Sequence, residues 1–149
     1  METASLTRQY RFAAAHRLHT DELTPEENRA AFGKCNNPNG HGHNYVVLVT
    51  VRGPIDPRTG RAADAAALDR LVRETVVARF DHRDLNHDPE LSKRPTTGEN
   101  LALFIWDLLA EPVRGLVPGC LLEKVGIVET RDNYFEYAGP ATGPAEGSR

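Results

Sequence analysis

Cys35-Asn36-Asn37-Pro38-Asn39-Gly40-His41-Gly42-His43 places a thiol and two imidazoles around a turn built from Asn, Pro and Gly. The residues that follow, Tyr45 to Val51, are rich in β-branched side chains and predict a strand. Alternate residues of a strand share a face, so His41 and His43 aim at one point at the strand's mouth. Such a cluster serves a metal site or a nucleophile–base site. A third histidine, His16, ends an earlier alternating run that carries Leu6, Tyr10, Phe12 and Ala14. Three neutral imidazoles with an open fourth position is the catalytic pattern for zinc. The competing reading is of loop or core histidines satisfied by ordinary hydrogen bonds.

Other groups carry similar alternatives. Cys35 is an inert buried thiol by general habit. Its place between Lys34 and a polar turn also suits a reactive one. Cys120 opens an apolar strand and is read as structural. A Cys2His2 zinc site is disfavoured because the two cysteines form no close Cys-x-x-Cys pair. Asp81-His82 could supply a general acid or base, or could be a solvated helix end. Glu129 shares a strand face with Val125 and Ile127. It is either exposed at the strand end or buried and paired. If buried, its two oxygens suit a flat N–H/NH2 edge.

The elements that must position these groups follow from periodicity. A first strand runs from Leu6 to His16 and a second from about Asn44 to Arg52. Thr20 to Lys34 reads as a polar loop with one helical turn after Pro25. Asp64 is placed to cap a helix. Leu68, Leu71, Val72, Thr75, Val76, Arg79 and Phe80 then recur at helical spacing. Asp81 to Arg94 reads as loop. Thr96 and Glu99 have capping-box spacing for a second helix, with Leu101, Phe104, Ile105, Leu108 and Leu109 as its stripe and a stop near Pro112. Leu121–Thr130 and Tyr134–Tyr137 form a hairpin around Asp132-Asn133. The order ββααββ predicts an α+β fold: a four-stranded antiparallel sheet with two helices on one face. Residues 1–139 form one domain, and 140–149 read as a disordered tail.

Composition excludes several classes. A net charge of −3 without a basic block argues against nucleic-acid binding. The apolar runs are too short for a membrane span, and no signal-peptide pattern is read at the N-terminus. Two cysteines suit a reducing cytoplasm rather than a disulfide scaffold.

Five segments together resemble the 6-pyruvoyl-tetrahydropterin synthase family: RFAAAHRL (11–18), FGKCNNPNGHGHNYVVLVTVRG with IDP and TG (32–60), DHRDLN (81–86), TTGENLALFIWD (96–107) and VETRDN (128–133). The resemblance covers nearly the whole chain up to Gly139. It implies the T-fold, assembled into a barrel-forming homohexamer, a dimer of trimers with active sites at subunit interfaces. It makes His16, His41 and His43 zinc ligands and Cys35 the general base. Asp81 and His82 become the thiol's relay partners. Glu129 becomes the anchor of the pterin ring and joins the relay, and Thr96 and Thr97 line the pterin pocket. The implied substrate is 7,8-dihydroneopterin triphosphate, converted to 6-pyruvoyl-tetrahydropterin with loss of triphosphate. Lys34, Arg17 and Arg94 are candidate triphosphate contacts. The relative that makes 6-carboxy-tetrahydropterin and releases acetaldehyde has three residues between its thiol and His-Gly-His. Here five, Asn36 to Gly40, stand in that place, as in the pyruvoyl type. A non-catalytic pterin-binding protein on the same fold is a further alternative. One position departs from the family pattern: Gly98 separates the threonine pair from Glu99, which shifts the helix start.

Overall fold

Alternation along β1 (Thr3–His16) buries Tyr10, Phe12, Ala14 and His16 and leaves Gln9 and Arg11 exposed. The same alternation in β2 (His41–Pro54) buries Tyr45, Val47, Val49 and Val51. The two strands pair antiparallel along their full length, from Thr3 opposite Pro54 to His16 opposite His41. That pairing carries β2 past the 44–52 limits expected from its β-branched run. In the computed structural model, which describes residues 1–116 and 119–141, the sheet continues through β4 (Leu121–Thr130) to β5 (Asn133–Tyr137), both antiparallel.

The sheet has five strands, in the order β3-β1-β2-β4-β5, rather than four. The added strand, β3 (Arg83–Asp84), lies in the segment expected to be loop and pairs parallel with Ala14 and Ala15. It is too short to show any periodicity. His82 turns the backbone into it with φ 59°, a left-handed conformation uncommon for a residue with a Cβ.

Three helical segments pack over the core face or beside it. The segment after Pro25 is a two-turn helix, α1 (Pro25–Phe32), longer than the single turn expected. Thr24 and Glu27 form a reciprocal capping box with Pro25 in the first turn, a signal present in the sequence. Asp64 caps α2 (Ala65–Val72) through the amide of Ala67. The backbone continues through a π-helical turn, Arg73–Val77, into α3 (Ala78–Phe80), so one apolar stripe runs from Leu68 to Phe80. The last helix, α4 (Gly98–Arg114), lays Leu101, Ile105, Leu109 and Val113 on β4 and β5. Each fully buried side chain of this size contributes about 1.5–3 kcal/mol.

Two expectations for α4 are corrected. Its cap is Thr97, whose hydroxyl accepts from the Asn100 amide, not Thr96 with Glu99. Gly98 moves the frame by one residue. The helix also runs through Pro112 to Arg114, because a proline in the last turn forfeits only one backbone bond. The expected tail beyond residue 141 lies outside the described residues.

Candidate metal centre

His16, His41 and His43 meet because they occupy the paired ends of β1 and β2. His16 stands opposite His41, and His43 stands opposite Ala14 on the same face. The His16 Nε2 lies 3.0 Å from the His41 Nε2 and 3.1 Å from the His43 Nε2. All three ligand atoms lie within 4.8 Å of one another.

The tautomer of His16 is set by its other nitrogen. Nδ1 lies 2.8 Å from the carbonyl oxygen of Thr96. A carbonyl can only accept, so Nδ1 carries the proton and donates. In the neutral ring, Nε2 then presents a lone pair to the point where the other two rings converge. This is how a protein orients a metal-binding imidazole. Tetrahedral coordination at about 2.0–2.1 Å would separate ligand nitrogens by about 3.3 Å, close to the spacing found. The donor set therefore fits a metal ion better than it fits three hydrogen-bonded core histidines, since the single lone pair of the His16 Nε2 cannot accept from both His41 and His43.

The local field favours neutral rings. Burial, then the charges of His16 and His41, pushes the His43 pKa down to about 4. Burial, His16 and Lys34 lower that of His41. Deprotonated imidazole is the form that binds a metal.

Glu129 sits beside this cluster, with Oε1 4.0 Å from the His43 Nε2. It is only 9 % exposed, which settles the two readings in favour of burial. Burial raises its pKa, and Glu99 adds to the rise while His16 opposes it. Among the described residues no hydrogen bond occupies its carboxylate, so both oxygens remain open to a ligand. Thr96 is equally unusual. Its carbonyl serves His16, while its buried hydroxyl is without a partner, alone in this among the described side chains.

Cys35 lies in a 3-10 turn, Gly33–Asn36, and its carbonyl accepts from the Leu18 amide at 2.9 Å. Gly40 then brings the backbone back to β2 with φ 70°, and a Cβ there would stand 3.1 Å from the His16 carbonyl oxygen. The turn that carries Cys35 thus leads directly into His41, whereas Glu129 lies beside His43.

Asp81 and His82 are elsewhere. Asp81 Oδ1 accepts from the Ala13 amide, and Oδ2 lies 3.0 Å from the His82 Nδ1. The His82 ring is largely exposed and borders a hollow lined by Ala13, Ala15, Gly42 and Asn44 and reached also by His43. The side chains of Ala13, Ala15 and Asn44 alternate with Ala14 and His43 and so leave the sheet on the face opposite the core. Within one protomer, no hydrogen bond among the described residues links this pair to Cys35. Thr97 is occupied as the helix cap.

Three participants were not singled out from the sequence. Tyr45, fully buried, places its hydroxyl 3.5 Å from the His16 Nδ1. Asn36 donates to the Leu18 carbonyl, and Asn86 both accepts from and donates to the Arg17 backbone. Both asparagines lie inside the quoted motifs, but nothing in their spacing announces long-range backbone bonds.

Comparison with known proteins is consistent with this geometry. The profile described as 6-pyruvoyl tetrahydropterin synthase matches residues 5–140. The chain is 45% identical over 138 residues to the 6-pyruvoyl tetrahydrobiopterin synthase of Drosophila melanogaster, covering 92% of this chain and 80% of that one. It is 44% identical over 137 residues to that of Homo sapiens, covering 91% and 92%. The solved 6-pyruvoyl tetrahydropterin synthase of Caenorhabditis elegans superimposes with a TM-score of 0.83 at 40% identity, over 94% of this chain and 98% of that one. The Plasmodium vivax protein of the same name, at 18% identity and a TM-score of 0.61 over 95% and 100%, shares the fold.

Proposed function

We propose, on the premise that this chain belongs to the 6-pyruvoyl tetrahydropterin synthase family, that it converts 7,8-dihydroneopterin triphosphate to 6-pyruvoyl-tetrahydropterin with loss of triphosphate. The observation that carries the reading is the convergence of three imidazole Nε2 atoms, one with its tautomer held by Thr96, beside a buried free carboxylate. We take the metal to be zinc, held by His16, His41 and His43. When bound, it acts as a Lewis acid that makes a neighbouring substrate C–H bond acidic.

The remaining work falls to the protein's own residues. Glu129 receives the N–H/NH2 edge of the pterin ring, which relieves the cost of a buried unpaired carboxylate. The Thr96 hydroxyl faces the same pocket and gains the partner it lacks, and Thr97 fixes the start of the helix below it. Anchoring the ring places the substrate's side arm over the histidines, a positioning contribution. Cys35 takes the proton as thiolate and passes it to His82, whose ring Asp81 orients. Hydrogens move within one molecule, so no redox cofactor takes part.

No hydrogen bond joins Asp81 or His82 to Cys35 within one protomer, so we assign the relay role to a second copy. A homohexamer with sites between subunits meets that requirement. No described helix is long and apolar enough to cross a membrane. The two free cysteines suit our reading of a cytoplasmic protein.

The 6-carboxy alternative is not favoured, since the relatives carry the pyruvoyl name and the sequence keeps five residues between Cys35 and His41. The test is mass spectrometry of the products formed from 7,8-dihydroneopterin triphosphate by zinc-loaded protein. We expect 6-pyruvoyl-tetrahydropterin and free triphosphate. A 6-carboxy product with acetaldehyde overturns the assignment.

A further inference from the structure

We infer that Asn86 is a positioning residue for the metal centre: its carboxamide stands in for a missing strand neighbour and fixes the main chain next to His16. The inference rests on the reading of His16, His41 and His43 as metal ligands, and not on the reaction that the metal serves.

His16 needs such support because it ends its strand. On one edge of β1 the last pair is His16 with His41, and on the other it is Ala15 with Asp84. Arg17 therefore lies past the ladder on both sides. On the β2 side Gly40 has already turned away, with φ 70° and its amide given to the Asn37 carbonyl. Unpaired N–H and C=O groups at the end of a strand open readily. Opening at Arg17 would move the His16 main chain with it. The ring would then leave the position in which its Nε2 stands 3.0 Å from that of His41 and 3.1 Å from that of His43.

Asn86 closes this gap. Its Oδ1 accepts from the Arg17 amide at 2.7 Å, and its Nδ2 donates to the Arg17 carbonyl at 3.0 Å. A side-chain amide offers an acceptor and a donor on one carbon, as a strand neighbour's main chain does. The side chain is itself anchored. The Asn86 amide donates to Asp84 Oδ1 at 2.9 Å, and the adjacent Leu85 is fully buried. Asn86 thus extends a line of contacts along β1 in which the His82 amide donates to the Ala13 carbonyl and Ala14 and Ala15 pair with β3.

This support is separate from the one that Thr96 gives. Thr96 holds the ring of His16, whereas Asn86 holds the main chain beside it. Both are needed, because a ring turned correctly on a shifting Cα still misses the other two. Leu18, one residue further on, is held independently: its amide donates to the Cys35 carbonyl and its carbonyl accepts from Asn36 Nδ2. The segment after His16 therefore keeps part of its anchorage when Asn86 is replaced.

The test measures zinc affinity by competition with a chelating dye, the visible absorption of the cobalt-substituted protein, and hydrogen–deuterium exchange of the metal-free protein. Asn86→Ala loses both bonds. Asn86→Asp keeps the shape and the acceptor but sets an oxygen against the Arg17 carbonyl. Asn28→Ala is the control, since Asn28 is a fully buried carboxamide whose bonds all go to the main chain of Thr20, Leu23 and Thr24. Both Asn86 variants should bind zinc about tenfold more weakly, with a weaker and shifted cobalt band. In Asn86→Ala the Arg17 amide should also exchange faster. Asn28→Ala should lower Tm yet keep the zinc affinity and cobalt band of wild type. Wild-type zinc affinity and cobalt absorption in both Asn86 variants overturn the inference. So does an equal loss of zinc in Asn28→Ala, which would mark general loosening. A wild-type protein that takes up neither metal overturns the metal centre itself, and the inference falls with it.

Discussion

The ring of Phe135 occupies the space in which a side chain at Gly98 would stand: a Cβ there would lie 2.1 Å from the Phe135 Cδ2. The one residue that departs from the family pattern is thus a socket for β5 on the first turn of α4. It also shifts the cap to Thr97, which leaves the Thr96 hydroxyl buried and without a partner. Gly98→Ala should therefore destabilise the fold by about 1–3 kcal/mol despite the better helix propensity of alanine. Urea midpoints measure this, and Phe135→Ala in the Gly98→Ala background should cost less than in wild type.

The neighbouring threonines should behave oppositely. Thr97→Ala removes a helix cap and should cost about 1 kcal/mol of stability. Thr96→Val removes a buried hydroxyl with no partner and should leave stability unchanged or raised, because no bond is lost. Its effect should appear in KM for the pterin substrate. Denaturation and steady-state kinetics on both variants separate the roles.

Acid sensitivity should report on Asp88. Its carboxylate accepts from Arg79 Nε at 2.8 Å and from the amides of Glu90 and Leu91. These bonds, with the Arg79 bond foremost, hold its pKa down at about 2 against an unfolded value of 3.8. A depressed folded pKa gives stability that is full above the unfolded value and is lost as pH falls towards 2. Stability measured from pH 5 to pH 2 should decline, and Asp88→Asn should flatten part of that decline while costing about 1–2 kcal/mol at neutral pH.

Metal binding should divide the three histidines. His41→Ala and His43→Ala, at the partly exposed mouth, should lose metal while the protein stays folded. His16→Ala should lose metal and also stability, since His16 is 1 % exposed and its loss leaves the Thr96 carbonyl without its donor. Elemental analysis and cobalt absorption after exchange give occupancy and geometry, and melting gives stability. Equal melting temperatures for all three variants would remove the structural role of His16.

Mixed subunits test the relay. Cys35→Ala and His82→Ala should each be inactive alone, and co-refolded mixtures should regain a fraction of wild-type turnover if the thiol and the imidazole come from different copies. Mixtures that remain inactive would place the relay elsewhere.

The sequence by itself determined the face that each strand buries, and hence that His16, His41 and His43 share one side. Period-2 alternation is a local property, and it is written in Tyr10-x-Phe12-x-Ala14-x-His16 and in His41-x-His43-x-Tyr45. It also determined the helix stripes from Leu68 and from Leu101, and the family motifs. It left Glu129 open between exposure and burial, because a strand pattern does not say what covers the strand's end. Tertiary structure decided what depends on register and on groups far apart in sequence. The Thr96 carbonyl that sets the His16 tautomer is 80 residues away from it. The two-residue β3 exists only because β1 offers it an edge. Only the fold gathered the cations of Arg17 and Lys34 around one hollow, and only it joined Asp81 to the Ala13 amide, 68 residues away in sequence. Side-chain period is encoded one residue at a time, whereas hydrogen-bond partners and charge neighbours are chosen by the fold as a whole.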